Sequence, residues 1–409
     1  MKGKLIAVGL VALALSLLLA LVSACGGGGG EEGGVTKTLK VGFLGPLSGP
    51  AAPWGTQHES GAKWAADDIN KAGGMKVGKD TYKIEVISRD DQYTGSLAAT
   101  AATEFVSMGI HYVIGPIGTD QAVIPIFNDG KCFNITIGAT WYGGPDKPYW
   151  INGSTYYPMW IAAYYAAAVE KHPEIDKVAV IGPDTESSHS QAKDAQNAAT
   201  ALGLNMVAEE YYVQGTTDFY PVMTKVLRSN PDTIDTGPSP AGDQALMVKA
   251  GRELGFKGRF LQPNWVPLDT LITTVGVNDL YSISTSLPDF STQHYSDAMR
   301  TLNQRYMAEK AQPGETSMPD CVVHGYSQMM FYKKAIEAAG SIDTAKVMQV
   351  INDPNFAFER YYVPNAKLGG TQTFGINRQM PHFNPYSEIV IEGGQAKVVQ
   401  MGGKAVNVP

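Results

Sequence analysis

Apolar runs of strand length alternate with segments of helical periodicity along most of this chain. A run at 39–44 is followed by a Gly/Pro turn and then by 55–70, where Ala62, Ala65 and Ile69 recur on one stripe. Further strands are predicted at 82–88, 111–114 and 133–137, with helices near 96–107 and 121–128. Strands separated by helices pair in parallel, so this half predicts one parallel sheet with helices on both faces.

The alternation restarts after an aromatic stretch at 141–160. Strands are predicted at 178–182, 206–212, 233–236 and 259–262, with helices near 191–202, 220–229 and 243–254. Two later strands, 281–286 and 358–363, flank a helical hairpin at 294–311 and 322–339. We predict that these two strands link the two halves.

The chain from about residue 37 to 409 is too long for one hydrophobic core, since single cores stop growing near about 250–300 residues. We assign 37–153 plus 285–357 to a first lobe and 154–284 plus 358–409 to a second. The predicted fold class is α/β, with two doubly wound parallel-sheet lobes.

The chain begins with two lysines and an uncharged apolar run at 5–24, which is typical of a secretory signal peptide, and we assign 1–24 to it. The small residues before Cys25 resemble the bacterial lipobox, which implies cleavage there and a lipid on Cys25. Residues 25–36 are mostly glycine and predict a flexible tether. The alternative is an uncleaved membrane anchor, because the run has about the 20 residues that span a bilayer; the small residues favour cleavage.

The formal net charge is −7, and the basic residues are not clustered. Nucleic-acid binding needs concentrated Lys and Arg, so no such partner is predicted. The seven histidines show neither i, i+4 pairing nor Cys/His spacing, so no metal is predicted. Cys132 and Cys321 remain after lipidation of Cys25; one disulfide fits an oxidising compartment, but we favour two unpaired thiols.

The motifs of catalysis and cofactor binding are incomplete in this sequence. Residues 73–80 have the spacing of a phosphate-binding loop, but Asp80 stands where Ser or Thr is needed, and the segment follows a helix. We predict a flexible loop there. The run GPLSG at 45–49 is not a nucleophile elbow, because its spacing does not fit. We therefore predict no enzyme and no cofactor.

The first lobe carries motifs that resemble a known family. They are GPLSG at 45–49, Trp54-Gly55, AADDINKAGG at 65–74, VIGP at 113–116 with Thr119, and IGAT at 137–140. With them the chain resembles the branched-chain-amino-acid class of periplasmic binding proteins of ABC transporters. The resemblance in segment order covers about 39–399, and it is specific at motif level only in the first lobe.

The resemblance implies the type I binding-protein fold, in which three crossovers join two lobes that close on a ligand like a hinged clamp. Thr119 begins a helix, whose positive end suits a ligand carboxylate. The resemblance also implies contacts at Gly138, Ala139 and Thr140, with the Thr140 N–H on the carboxylate and the Gly138 carbonyl on the amine. Trp54 would cover the apolar side of the ligand.

The second lobe departs from the family at Asn264, which stands where amino-acid binders place an acid against the ligand ammonium. A buried ammonium without an anion costs several kcal/mol. Either Asp184 or Glu186 substitutes, or the ligand has no amine. The candidate wall residues are aromatic, namely Trp54, Trp141, Tyr142, Tyr156 and Trp265. They favour a larger, flatter ligand, such as an aromatic or other organic carboxylate.

We therefore expect a monomeric, lipid-anchored solute-binding protein of the cell envelope that delivers a small organic carboxylate or an amino acid to an ABC permease. A sensory ligand-binding module would share the fold but should continue into a transmembrane or signalling segment, whereas this sequence stops at Pro409. An exported enzyme is the third alternative. It would need a catalytic constellation that the motifs do not show.

Overall fold

The computed structural model describes residues 34–138, 142–154, 156–292, 295–312, 315, 317–361 and 363–406. The first sheet has six strands: β1 (Thr36–Gly45), β2 (Met75–Val77), β3 (Asp80–Asp90), β4 (Tyr112–Ile117), β5 (Phe133–Ile137) and β6 (Trp150–Asn152). Their order is β2-β3-β1-β4-β5-β6. All neighbours pair in parallel except β2 with β3.

The second sheet has seven strands: β7 (Lys177–Pro183), β8 (Asn205–Tyr212), β9 (Thr233–Asp235), β10 (Arg259–Gln262), β11 (Ile283–Thr285), β14 (His382–Glu392) and β15 (Gln395–Val406). Their order is β15-β14-β11-β10-β9-β7-β8. The last two strands form an antiparallel hairpin at one edge. A separate pair, β12 (Phe358–Arg360) and β13 (Val363–Ala366), lies outside both sheets.

Twelve α-helices cover these sheets within the described ranges. The helices that follow strands of the first sheet are α1 (Ala52–Lys71), α2 (Gly95–Ser107) and α3 (Asp120–Asp129). The helices that pack on the second sheet or follow its strands are α4 (Tyr157–Lys171), α5 (Glu186–Ala201), α6 (Tyr220–Leu227), α7 (Ala241–Glu253) and α8 (Leu268–Val275). The remaining helices are α9 (Asp297–Glu309), α10 (Asp320–Ala339), α11 (Thr344–Asn352) and α12 (Thr371–Phe374).

The predicted fold class is confirmed, with two wound sheets and three passages of the chain between them, after β6, after β11 and before β14. The predicted strands at 133–137 and 259–262 coincide with β5 and β10. The sheets are mixed rather than purely parallel. The segment at 73–80 is not a loop as predicted, because a turn at Gly78 (φ +59°) folds β2 back onto β3.

The last third of the chain returns to the first sheet before it completes the second. Phe358, Ala366, Leu368 and Met380 pack in the same apolar cluster as β1, α1 and α10. This packing favours the first lobe for the segment up to about Met380, whereas the sequence-based boundary placed 358–409 in the second. The division into lobes at particular residues stays a prediction.

Helices α1 and α10 cross in close contact because glycines face each other's backbone. A Cβ on Gly61 would lie 2.0 Å from the Val322 carbonyl oxygen, and one on Gly325 would lie 2.0 Å from the His58 carbonyl oxygen. Neither contact leaves room for a methyl group. This close approach fixes how the N-terminal halves of both helices meet, and residues of both halves contribute to the cleft described below.

The remaining sequence-based predictions concern the N-terminus and the cysteines. The signal peptide, Cys25 and most of the Gly-rich tether lie outside the described residues. Among the residues that are described, we find no helix of the length and hydropathy that crossing a bilayer requires. Cys132 and Cys321 are both free thiols in buried positions.

Candidate ligand-binding cleft

A cleft of about 630 Å³, part of it open to solvent, lies between the carboxyl ends of the two sheets. Its walls follow strand ends, as open α/β sheets dictate. From the first sheet come Gly118 after β4, Gly138 after β5 and Ser154 after β6. From the second come Ser187 after β7 and Asn264 after β10.

The two sides of the cleft are joined by hydrogen bonds. The indole N–H of Trp54, on α1, donates to the backbone carbonyl of Trp265 over 3.0 Å. The indole N–H of Trp265 donates to Oδ2 of Asp320, on α10, over 3.1 Å. The N–H of Gly242 also donates to the carbonyl of Pro50 over 3.0 Å. The structure is therefore that of a clamp with its halves in contact.

Four of the predicted ligand residues line this cleft, namely Trp54, Gly138, Asn264 and Trp265. Two others do not. The Thr119 hydroxyl is buried and donates to Oδ2 of Asp91 over 2.9 Å, although its neighbour Gly118 does face the cleft. Tyr156 packs edge to face against Phe374, with ring centroids 5.1 Å apart. For all six residues a role in binding remains a prediction.

Three further predicted ligand residues, Ala139, Thr140 and Trp141, lie outside the described residues. Gly138, immediately before them, lies close over the Asp120 carboxylate, since a Cβ there would be 2.6 Å from Oδ1. Burial raises the pKa of Asp120 to about 6. A substituent at Gly138 would therefore clash with the Asp120 carboxylate.

A chain of polar side chains crosses the second-lobe wall. The amide nitrogen of Asn264 donates to Oε1 of Gln191 over 2.6 Å. The amide nitrogen of Gln191 donates in turn to Oγ of Ser187 over 3.2 Å. All three residues line the cleft. Because the Ser187 oxygen accepts the hydrogen bond from Gln191, the Ser187 hydroxyl hydrogen points away from Gln191. This wall can donate a hydrogen bond to a ligand oxygen.

Trp160, one turn into α4, brings an indole to the same cleft. Its Nε1 is buried and has no acceptor among the described residues. A buried N–H without an acceptor costs free energy comparable to a lost hydrogen bond. A ligand oxygen at this position would satisfy it. The sequence analysis missed Trp160, because its place in an amphipathic aromatic stretch is equally typical of a core residue.

Asp320, His324 and His382 form a group that we call the polar wall. Nε2 of His324 lies 3.4 Å from Oδ2 of Asp320, one helical turn away on α10. The ring of His382, at the start of β14, meets that of His324 at 73° with centroids 5.0 Å apart. All three residues are buried and line the cleft. Burial lowers the pKa of both histidines, so both are neutral at pH 7.

The possible metal-ligand atoms of the polar wall all lie within 4.8 Å of one another, which is close enough for them to hold one metal ion. A buried guanidinium opposes a cation there. Nη2 of Arg360 lies 3.3 Å from Nδ1 of His324 and also donates to the carbonyl of Gly153 over 2.5 Å. A search for histidines spaced i, i+4 could not find this group. Its i, i+4 pair is Asp320 with His324, and His382 lies near them only in the folded chain.

The acidic residue of the cleft is not one that the sequence analysis proposed. Asp184 is exposed and accepts from Nε2 of His189 over 2.8 Å, and Glu186 is exposed as well. Neither residue lines the cleft, whereas Asp320 does. Asp320 lies on a helix packed on the first sheet, whereas the sequence comparison looked for the acid in the loops of the second lobe.

Two wound sheets that present their carboxyl ends to one enclosed cleft define a two-lobed solute-binding clamp. The chain matches the family model described as "Periplasmic binding protein" over residues 38–381, and it belongs to that family. Its fold is the type I fold of the binding proteins that serve ABC transporters, as the resemblance implied.

Individual relatives agree with this assignment. The chain is 26% identical to the leucine-specific-binding protein of Salmonella typhimurium over 284 residues. The alignment covers 67% of this chain and 70% of the relative. It is similar in structure to a branched-chain amino acid transporter substrate-binding protein of Streptococcus pneumoniae in complex with isoleucine, with a TM-score of 0.71, 20% identity and 89% and 99% of the two chains covered. A solute-binding protein of R. palustris in complex with 4-hydroxybenzoate gives a TM-score of 0.69, 22% identity and coverage of 90% and 97%.

Proposed function

We propose that this protein captures a small carboxylate-bearing organic solute outside the cytoplasm and delivers it to an ABC importer. The observation that carries the proposal is the cleft itself, which lies at the carboxyl ends of both sheets and is spanned by the Trp54 to Trp265 hydrogen bond. A clamp that closes on its ligand presents a different surface from the open clamp, and a permease can distinguish the two by population shift.

The walls support an aromatic acid as the solute. Trp54, Tyr93, Trp160 and Trp265 all line the cleft, and such rings pack well against a flat apolar group. The Ser187 hydroxyl and the Trp160 indole N–H are donors suited to a carboxylate. The R. palustris relative in complex with 4-hydroxybenzoate is consistent with this class. A branched-chain amino acid is the second candidate, because the leucine-specific-binding protein is a relative.

We further propose that the protein is held at the membrane by a lipid on Cys25. Each buried methylene contributes about 0.8 kcal/mol, so two or more acyl chains would anchor it durably. The support is the sequence before Cys25, which resembles a lipobox. Metabolic labelling with a fatty acid tests this: Cys25→Ser should lose the label and leave the membrane fraction. Label that persists in C25S would refute the anchor.

A thermal-shift screen followed by calorimetry tests the solute. The panel contains benzoate, the three monohydroxybenzoates, leucine, isoleucine and valine. A ligand at 100 times its dissociation constant adds about 2.7 kcal/mol of stability, which a melting curve resolves. We expect stabilisation by aryl carboxylates. Stabilisation by leucine or valine but not by aryl carboxylates would show that the solute is an amino acid rather than an aromatic acid. No binding across the panel would contradict a carboxylate solute.

A further inference from the structure

The polar wall presents hydrogen-bonding groups of both kinds to the cleft. Asp320 contributes a carboxylate whose Oδ2 already accepts from the Trp265 indole, and Nε2 of His324 lies 3.4 Å from the same oxygen. The imidazole of His382 lies against that of His324. A carboxylate only accepts hydrogen bonds, and a neutral imidazole both donates and accepts. The group that such a wall fits best is one that also donates and accepts.

The charge of the wall restricts that group further. The Asp320 anion is balanced by the buried guanidinium of Arg360, which contacts His324. With neutral imidazoles, these side chains carry no net charge. A ligand ammonium or a divalent metal ion would add uncompensated positive charge in a buried place, which costs several kcal/mol. A neutral hydroxyl adds none. It can donate to Asp320 and accept from the N–H of His382, since the two ring nitrogens of His324 already face Arg360 and Asp320.

The polar wall and the carboxylate donors belong to different elements that line the same cleft. The ring of Trp265 lines the cleft, and its indole N–H orients Asp320 through a hydrogen bond. Ser187, Gln191 and Trp160 come from helices over the second sheet and offer donors for a carboxylate. A ring between the aromatic walls would then have one group at these donors and another at the polar wall.

We infer that Asp320, His324 and His382 select a neutral hydroxyl on the ring of the solute, so that the ligand class is the hydroxylated aromatic acids rather than the amino acids. This inference rests on the proposed function, which supplies the carboxylate at the other end. The wall is then a specificity determinant. It discriminates because a ring hydroxyl gains hydrogen bonds to the wall that an unsubstituted acid cannot form.

Calorimetry on the purified protein with matched ligands tests this. The ligands are benzoate, its three monohydroxy isomers, and 4-(aminomethyl)benzoate, which places an ammonium at the distal end. We expect at least one hydroxybenzoate to bind about tenfold or more tightly than benzoate, as a hydrogen bond to a charged acceptor implies. We expect 4-(aminomethyl)benzoate to bind more weakly than benzoate, and Zn²⁺ to have no effect on the melting temperature.

Asp320→Asn is the informative variant. Its remaining oxygen can still accept from Trp265, while the amide nitrogen replaces an acceptor by a donor. We expect the preference for the hydroxylated acid over benzoate to fall below about threefold. His382→Gln should also reduce the preference for the hydroxylated acid over benzoate, and it provides the test if D320N fails to fold. Asp184→Asn, an exposed acid outside the cleft, should change neither affinity.

The results that would overturn the inference are equal binding of benzoate and every hydroxybenzoate, preference for the ammonium ligand, or an unchanged preference in both cleft variants. Equal binding of the aromatic acids would leave the proposed function intact and remove only the role of the polar wall. Failure of every aromatic acid to bind, with binding of leucine, would overturn the inference together with the proposed solute class.

Discussion

The indole N–H of Trp54 donates to the backbone carbonyl of Trp265 over 3.0 Å, although the two residues are 211 positions apart in the chain. Trp54 lies on α1, over the first sheet, and Trp265 follows β10 of the second. Both rings line the cleft. This hydrogen bond thus connects the cleft walls of the two halves, and it exists only when the halves are together.

Trp54→Phe should weaken ligand binding by about two- to tenfold. The substitution keeps an aromatic wall but removes a hydrogen bond worth about 0.5–1.5 kcal/mol to the closed form. Calorimetry with the best ligand of the screen measures this. Trp64→Phe is the control, because Trp64 packs in the core behind the cleft. It should lower stability without changing affinity. Equal affinity of W54F and wild type would show that this bond does not contribute to closure.

Gly325→Ala should destabilise the protein by about 2 kcal/mol or more. The added methyl would lie 2.0 Å from the His58 carbonyl, and a backbone atom cannot move aside without separating α1 from α10. Urea unfolding at fixed protein concentration gives the free energy. Gly402→Ala is the matched control, since its methyl meets nothing within 4 Å. A G325A protein as stable as G402A would contradict the packing described here.

Asp235 should make the protein more stable at pH 5 than at pH 7. It accepts from the Tyr165 hydroxyl over 2.6 Å and from the Gly237 N–H over 2.7 Å, and burial raises its pKa from 3.8 to about 6. A raised carboxyl pKa means that the folded protein holds a proton that the unfolded chain has lost. The stabilisation therefore appears as the pH falls through about 6 and is complete near 3.8.

Asp235→Asn removes this titration. The stability of wild type relative to D235N should rise by on the order of 1 kcal/mol from pH 7 to pH 5. Urea unfolding of both proteins at the two pH values measures the difference. A difference that is constant, or that falls on acidification, would show that the carboxyl has no raised pKa in the fold.

The thiol of Cys321 should react with a small alkylating reagent in the native protein, and that of Cys132 should not. Both are buried, and burial raises the pKa of each. Of the two, Cys321 lines the cleft, so opening of the clamp exposes it. Cys132 is enclosed in an apolar cluster with residues of helices α2 and α3.

Mass spectrometry of the alkylated peptides gives both rates. Saturating ligand should slow the labelling of Cys321, and Cys321→Ala should leave no fast native-state label between residues 34 and 406. Equal rates at the two cysteines would mean that labelling follows global unfolding rather than opening of the cleft.

Much of the fold could be predicted from the sequence because its signals are local. The apolar runs of β5 and β10 are bounded by turn residues, and their limits coincide with the predicted ones. The β14–β15 hairpin and the packing of 358–380 onto the first sheet were not predicted. They depend on which partner each strand finds, and the periodicity of a strand does not specify its neighbour.

By itself the sequence determined an α/β chain of two wound sheets and predicted ligand loops at the strand ends, because parallel strands joined by helices bring their carboxyl ends to one edge. It placed Trp54, Gly138, Asn264 and Trp265 on such loops, and the cleft contains all four. Only the tertiary structure brought Asp320 and His324 together with His382 in the polar wall. That convergence depends on the close crossing of α1 and α10 and on the return of the chain before β14, and no short-range pattern encodes either of them.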